Sequence, residues 1–221
     1  VMDSGVRRTE NHIIMIFRSR EQTDMITSSN NAKVKQVVQW QTKAKERRKD
    51  HVFLAEGVRM CEEAPVKSVR EVYLTEELEQ KLRRNAQNGD TAFWDKLQQT
   101  GYETVSPEVF AKMADTQTPQ GILTVLEQPA YDLTQLLEQP EPLFLILENL
   151  QDPGNLGTMI RTGEGAGITG VIMNQQTVDI FNPKTIRATM GSIFRVPFVY
   201  VPELSPVLTQ MHERGIHTYA A

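Results

Sequence analysis

The sequence is poor in several things that would have defined it at once. Cys61 is its single cysteine, which excludes an internal disulfide framework and suits a reducing compartment such as the cytoplasm. No apolar run approaches the roughly 18 residues of a membrane span. The four histidines and Cys61 show no metal-ligand spacing, so no metal is expected. Internal repeats and low-complexity tracts are missing too. An excess of positive charge is also lacking: 24 lysines and arginines face 28 acidic residues, a net charge of −4. A globally basic nucleic-acid binder is thereby excluded, but a local one is not.

The charge is unevenly spread. Lys33, Lys35, Lys43, Lys45, Arg47, Arg48 and Lys49 crowd one stretch with only Glu46 against them, whereas acidic residues dominate from Glu62 to Glu108. Such a stripe can bind phosphates, or can be a solvated helix face.

Residues 1–24 look foreign to the fold. A short apolar run, Ile13 to Phe17, sits between arginines and is too short for a signal segment. We expect a disordered extension there, with a functional arm as the alternative. A first α/β domain is expected over 25–128. Its elements are a helix from Asn31 to Arg48 and strands at Val52–Ala55, Val69–Leu74 and Ile122–Leu126. Further helices fall at 56–64, 76–85, 90–100 and 107–114, the last capped by Ser106 with Pro107 behind it. The proline-dense stretch 129–142 reads as a linker.

A second domain is expected over 143–221. Leu143 to Leu147 is apolar throughout, as in a parallel strand buried on both faces. Helices alternate with strands at 170–173, 198–201 and 216–220, so a parallel sheet with crossover helices is expected. Ligands of such sheets sit beyond the carboxyl ends of the strands.

The informative stretch runs from Glu148 to Thr162. Asp152, Pro153 and Gly154 suit a tight turn, and Asn155 suits a helix N-cap. Free N–H groups at such a terminus favour an anion. Leu156, Ile160 and Gly163 can face the sheet. Gly157, Arg161 and Gly165 fall one turn apart on another side. That spacing leaves room beside Arg161 for a ligand, or for close approach by another backbone. Gly165-Ala166-Gly167-Ile168-Thr169-Gly170 matches a dinucleotide-binding pattern, but with the helix before it and the strand after, which is the wrong order.

Asp152-Pro153-Gly154-Asn155-Leu156-Gly157 followed by Ile160-Arg161-Thr162 is similar to the first signature of SpoU/TrmH (SPOUT) RNA ribose 2'-O-methyltransferases. Asn182-Pro183-Lys184 through Arg187-Ala188-Thr189-Met190-Gly191-Ser192 resembles the stretch that follows it. Phe53-Leu54-Ala55-Glu56-Gly57 and Thr118-Pro119-Gln120-Gly121-Ile122 resemble pieces of that family's ribosomal-protein-like substrate-binding domain. The resemblance implies a trefoil-knotted catalytic half, S-adenosylmethionine as cofactor, ribosomal or transfer RNA as substrate, and a homodimer. It implies that Arg161 is catalytic and that Asn155 holds the neighbouring loop. The family's later signatures would follow the final strand, where this sequence reaches Ala221. The chain as written is therefore expected to be unknotted and inactive alone, with Tyr219, Ala220 and Ala221 approaching the cofactor.

A guanidinium is a poor base at neutral pH. Arg161 could be desolvated enough to accept the hydroxyl proton, or could stay charged and stabilise negative charge developing on oxygen. A non-catalytic RNA-binding module or scaffold is the rival reading, and a nucleotide-binding regulator a third. The basic residues Lys33, Lys35, Lys43, Lys45, Arg47 and Arg48 would contact RNA phosphates in the first two.

Overall fold

The computed structural model of the chain describes residues 24–220. The extension expected over 1–24 lies outside the described residues apart from Asp24, and so does Ala221.

Helix α1 (Ala32–Thr42) starts where Asn31 accepts a hydrogen bond from the Lys33 N–H, and it buries Val34, Val37 and Trp40. The basic run was expected to continue as one helix to Arg48. Instead Lys43 is extended, at φ −123° and ψ 108°, and α2 (Ala44–Asp50) begins on a new course. Arg47 accounts for the break. It turns inward to 3% exposure and donates to the carbonyls of Trp40 and Gln41, which the end of α1 leaves open.

There follow β1 (Val52–Glu56), α3 (Val58–Glu63), β2 (Val69–Thr75), α4 (Glu76–Gln87), α5 (Ala92–Thr100), β3 (Glu103–Val105), α6 (Pro107–Met113) and β4 (Ile122–Glu127). The sheet runs β1-β4-β2-β3, antiparallel across β1/β4 and β4/β2 and parallel across β2/β3. Strand β3 was not expected, since three residues leave no period to read. Ser106 caps α6 as its sequence suggested. Two stretches far apart in sequence converge at one end of β1. The Glu56 carboxylate accepts from the Asp115 N–H, and the Gln120 side chain accepts from the Val58 N–H.

The proline-dense stretch holds a short helix, α7 (Leu133–Leu137), which buries Leu136 and Leu137 against Ile172 and Val199. The second half is β5 (Phe144–Leu147), α8 (Pro153–Gly165), β6 (Gly170–Asn174), α9 (Pro183–Thr189), β7 (Phe198–Val201) and α10 (Ser205–Glu213). Its three strands are parallel in the order β5-β6-β7. Two expectations fail here. Strand β5 is at an edge, and Phe144, Leu145 and Ile146 are only half-buried; the doubly buried strand is β6. Residues 216–220 form no strand: the Ile216 N–H closes the end of α10 on the Met211 carbonyl, no strand among the described residues pairs with the segment, and Tyr219 is 92% exposed.

The halves share a core. Phe53, Ala55, Met60 and Leu126 pack with Leu156, Ile160, Met173, Phe181 and Phe198, and the rings of Phe53 and Phe181 lie 5.0 Å apart. Among the described residues three ion pairs cross the same junction: Arg47 with Asp179, Arg187 with Asp115, and Arg195 with Glu63.

Candidate active site

The carboxyl ends of β5 and β6 each lead through a loop into a helix, and the two loops are tied together. Asn149 adopts a left-handed backbone at φ +55°. Its N–H donates to the Asn174 side-chain oxygen at 3.0 Å, and the Asn174 amide donates back to the Asn149 side-chain oxygen at 2.8 Å. Thr177 also donates to Asn174. Further along, the Val178 N–H reaches the Leu150 carbonyl at 2.8 Å, and the Gln151 amide reaches the Gln176 carbonyl at 2.8 Å. The Tyr200 hydroxyl accepts from the Ile180 N–H and donates to the Val178 carbonyl. Burial pushes that phenol well above its usual range, so it remains a donor at neutral pH.

Helix α8 starts earlier than its sequence suggested. Pro153 takes the first helical position and Asp152, not Asn155, is the N-cap, accepting the Asn155 N–H at 2.7 Å. That backbone donor, helped by Lys184 at 3.6 Å, holds the Asp152 carboxyl below the usual range. The Asn155 side chain is exposed and makes no hydrogen bond among the described residues. The loop that it was expected to hold is fastened by Asn149, Asn174 and Asp152 instead. Polar Asn174 closing an apolar strand was the available signal for this clamp. Nothing in the pattern announced Tyr200 or Asp179.

Arg161 lies two turns into α8, exposed, with no ion pair or hydrogen bond among the described residues. Leu156, Ile160 and Gly163 are buried against the sheet, as their spacing implied. The glycines either side of Arg161 differ. A methyl on Gly157 would sit 2.6 Å from the Thr185 carbonyl oxygen and 2.5 Å from Ala188 Cβ, so this glycine serves close approach of α9. Gly165 faces open space. Along the outer side of α8 runs an apolar groove of about 420 Å³, bordered by Phe144, Asn155, Thr158, Met159, Thr162 and Ile168. Leu143 and Met159 are exposed beside it. The dinucleotide-like glycines have the order that excludes that function: Gly165 ends α8, and Gly170 begins β6.

Of the basic residues, Lys35, Lys43, Lys45, Arg48 and Lys49 are exposed without ion pairs among the described residues. Lys33 pairs with Glu103. Arg47 does not belong to the exposed stripe, because its guanidinium is spent inside the molecule on Asp179, at 2.7 Å. The charge of Arg48 acts on the Tyr200 hydroxyl. Helix α2 thus abuts the end of the parallel sheet from which α8 and α9 spring.

The sequence model of the SpoU rRNA Methylase family matches residues 142–221, and that of the MRM3-like substrate binding domain matches residues 31–124. Over 197 residues the chain is 36% identical to a 23S rRNA (guanosine(2553)-2'-O)-methyltransferase, RlmP, of Bacillus subtilis, covering 88% of this chain and 71% of that one. The chain belongs to the SpoU rRNA methylase family. It is also 41% identical over 110 residues to the mitochondrial rRNA methyltransferase 3 of Homo sapiens, a match that spans 48% of this chain but only 26% of the human one. Among solved structures it is similar to an AdoMet-bound rRNA methyltransferase from Sinorhizobium meliloti, with a TM-score of 0.69 and 26% identity over 87% of this chain and 69% of that one.

Adenosylmethionine carries a charged amino-acid end and an adenine, which need polar partners around an enclosed space. The described residues do not supply that. The groove along α8 is apolar and open, and Tyr219 and Ala220, expected near the cofactor, are exposed. No holder of the cofactor is assigned among them.

Proposed function

We propose that this chain serves methyl transfer from S-adenosylmethionine to a ribose 2'-hydroxyl of ribosomal RNA. The carrying observation is Arg161, an exposed guanidinium with no partner among the described residues, on the helix that Asp152 caps. Its exposure in the free chain favours a fixed cation over a desolvated base. A charged guanidinium can hold the phosphate next to the target ribose and stabilise negative charge that builds on the 2'-oxygen. Lys35, Lys43, Lys45 and Arg48 would grip neighbouring phosphates, positioning the RNA without reading its sequence. Asn155, with its side chain uncommitted, is available to the substrate or to the loop beside it.

We place the activity with cytoplasmic ribosomal RNA. No helix among the described residues is long and apolar enough to cross a membrane. The enzyme would work as a homodimer, a reading supported by the apolar groove and by the exposed Leu143 and Met159 beside β5, an edge strand among the described residues.

A second reading, an RNA-binding module without transfer, draws on the lack of an enclosed cofactor pocket among the described residues. The experiment that separates the two is incubation with methyl-labelled adenosylmethionine and ribosomal RNA transcripts, followed by digestion to nucleosides. Label in a 2'-O-methylnucleoside supports the enzyme. Salt-sensitive RNA binding without label favours the module. Neither binding nor label rejects both.

A further inference from the structure

We infer that Arg47 and Asp179 form a positioning pair that holds the basic face of α2 in register with the loops of the catalytic half.

The pair joins segments 132 residues apart in sequence, at 2.7 Å. The Arg47 side chain is 4% exposed and that of Asp179 is 20% exposed. A charge so deeply buried is costly without a counter-charge. Arg47 also donates to the Trp40 and Gln41 carbonyls, while its Nε has no partner among the described residues. Among the described residues Asp179 is the one carboxylate within ion-pair distance of it.

Each end of the pair is tied to a functional surface. On the Arg47 side the helix break at Lys43 swings α2 round, so that Lys45, Arg48 and Lys49 stay exposed while Arg47 points in. On the other side, Asp179 sits in the loop from β6 to α9 and accepts the Phe181 N–H. Its neighbours Val178 and Ile180 are both held by Tyr200, and the Val178 N–H reaches Leu150 in the loop that enters α8. Hydrogen bonds and the peptide links between them thus run from α1 and α2 through Asp179 to Leu150, two residues before Asp152, the cap of the helix that bears Asn155 and Arg161. Helix α2 could lie anywhere on its domain and still bind phosphates. Fastened to this loop, it delivers RNA at a fixed offset from Arg161, and small displacements of reacting groups are costly to rate.

The functional arm of this inference rests on the RNA methyltransferase reading, so the test has an arm that does not. Arg47→Gln removes the charge from the first half. Asp179→Asn removes it from the second while keeping an oxygen for the Phe181 N–H. Both are compared with the unaltered chain, and thermal unfolding confirms that each is folded. Native-state hydrogen exchange then follows the amides of Asn149, Val178 and Ile180. They are expected to exchange about tenfold faster or more in either variant, with β2 amides unaffected. In methyl transfer, kcat is expected to fall by up to about a hundredfold while the KM for RNA changes little, a split that general destabilisation does not produce. Unchanged exchange at Asn149 and Val178 in either folded variant overturns the inference. So does an active unaltered chain whose variants keep its kcat. If the unaltered chain transfers no methyl group, the proposed function falls, and the exchange arm alone decides whether the pair couples the halves.

Discussion

Two edge strands, β1 and β5, look alike in sequence and live differently. Val52-Phe53-Leu54-Ala55 and Phe144-Leu145-Ile146-Leu147 are both unbroken apolar runs, and each closes one side of its sheet. Every residue of β1 is buried, because Phe181 and α9 of the other half pack over Phe53 and Ala55 while Val34, Val37 and Trp40 of α1 share a core with Val52 and Leu54. Three of the four residues of β5 are half-buried, and the apolar groove runs beside them. An apolar run therefore reports a need for cover without naming the cover.

Substitution at matched aromatic positions breaks this comparison most sharply. Phe53→Ala removes a ring packed between the two halves and should cost about 3–5 kcal/mol in urea unfolding. Phe144→Ala, on the half-open strand, should cost clearly less. Equal losses would contradict the contrast.

The next effect in size concerns the helix pair beside the site. Gly157→Ala presses a methyl against the Thr185 carbonyl and Ala188, and should destabilise by about 1–3 kcal/mol. Gly165→Ala, which meets nothing within 4 Å, should be close to neutral by the same measurement.

Much of this was legible in advance. The sheet-facing Leu156, Ile160 and Gly163 and the parallel strands β5, β6 and β7 follow from spacing, but Pro153 and Gly154, read as a turn, are the first residues of α8. The break at Lys43 was not legible, because 32–50 is rich in helix formers and only a tertiary partner for Arg47 interrupts it. A run of charges reads as a solvated face, so a buried arginine within it leaves no mark. Helix α7 was hidden by the prolines around it, and residues 216–220 were strand-like in type but find no strand to pair with. At the site, the signature singled out Arg161 as the residue to test, while the local reading of Asn155 as helix N-cap failed because Asp152 fills that place.

Smaller effects sharpen the contrast further. Leu143→Asp should leave stability within about 0.5 kcal/mol, since the side chain is half exposed. It should nevertheless shift sedimentation toward a monomer if the groove joins two copies; an unchanged oligomeric state would sink that reading. Acid should act on the covered junction. Arg195 holds the carboxyls of Glu63 and Glu164 below their usual value of 4.5. Their contribution is therefore full above about pH 4.5 and is lost as pH falls through the lower folded values. It is small, since both carboxylates are near the surface. Urea midpoints of the unaltered chain and Arg195→Gln should converge below pH 4; a constant gap down to pH 3 would contradict the assignment.

The most direct measurement compares methyl transfer to ribosomal RNA by the unaltered chain and by Arg161→Ala, with RNA affinity measured alongside. The account predicts 2'-O-methylnucleoside from the first, a loss of about 10²–10³ in rate for the second, and RNA binding nearly retained. Transfer by Arg161→Ala at the unaltered rate would contradict it.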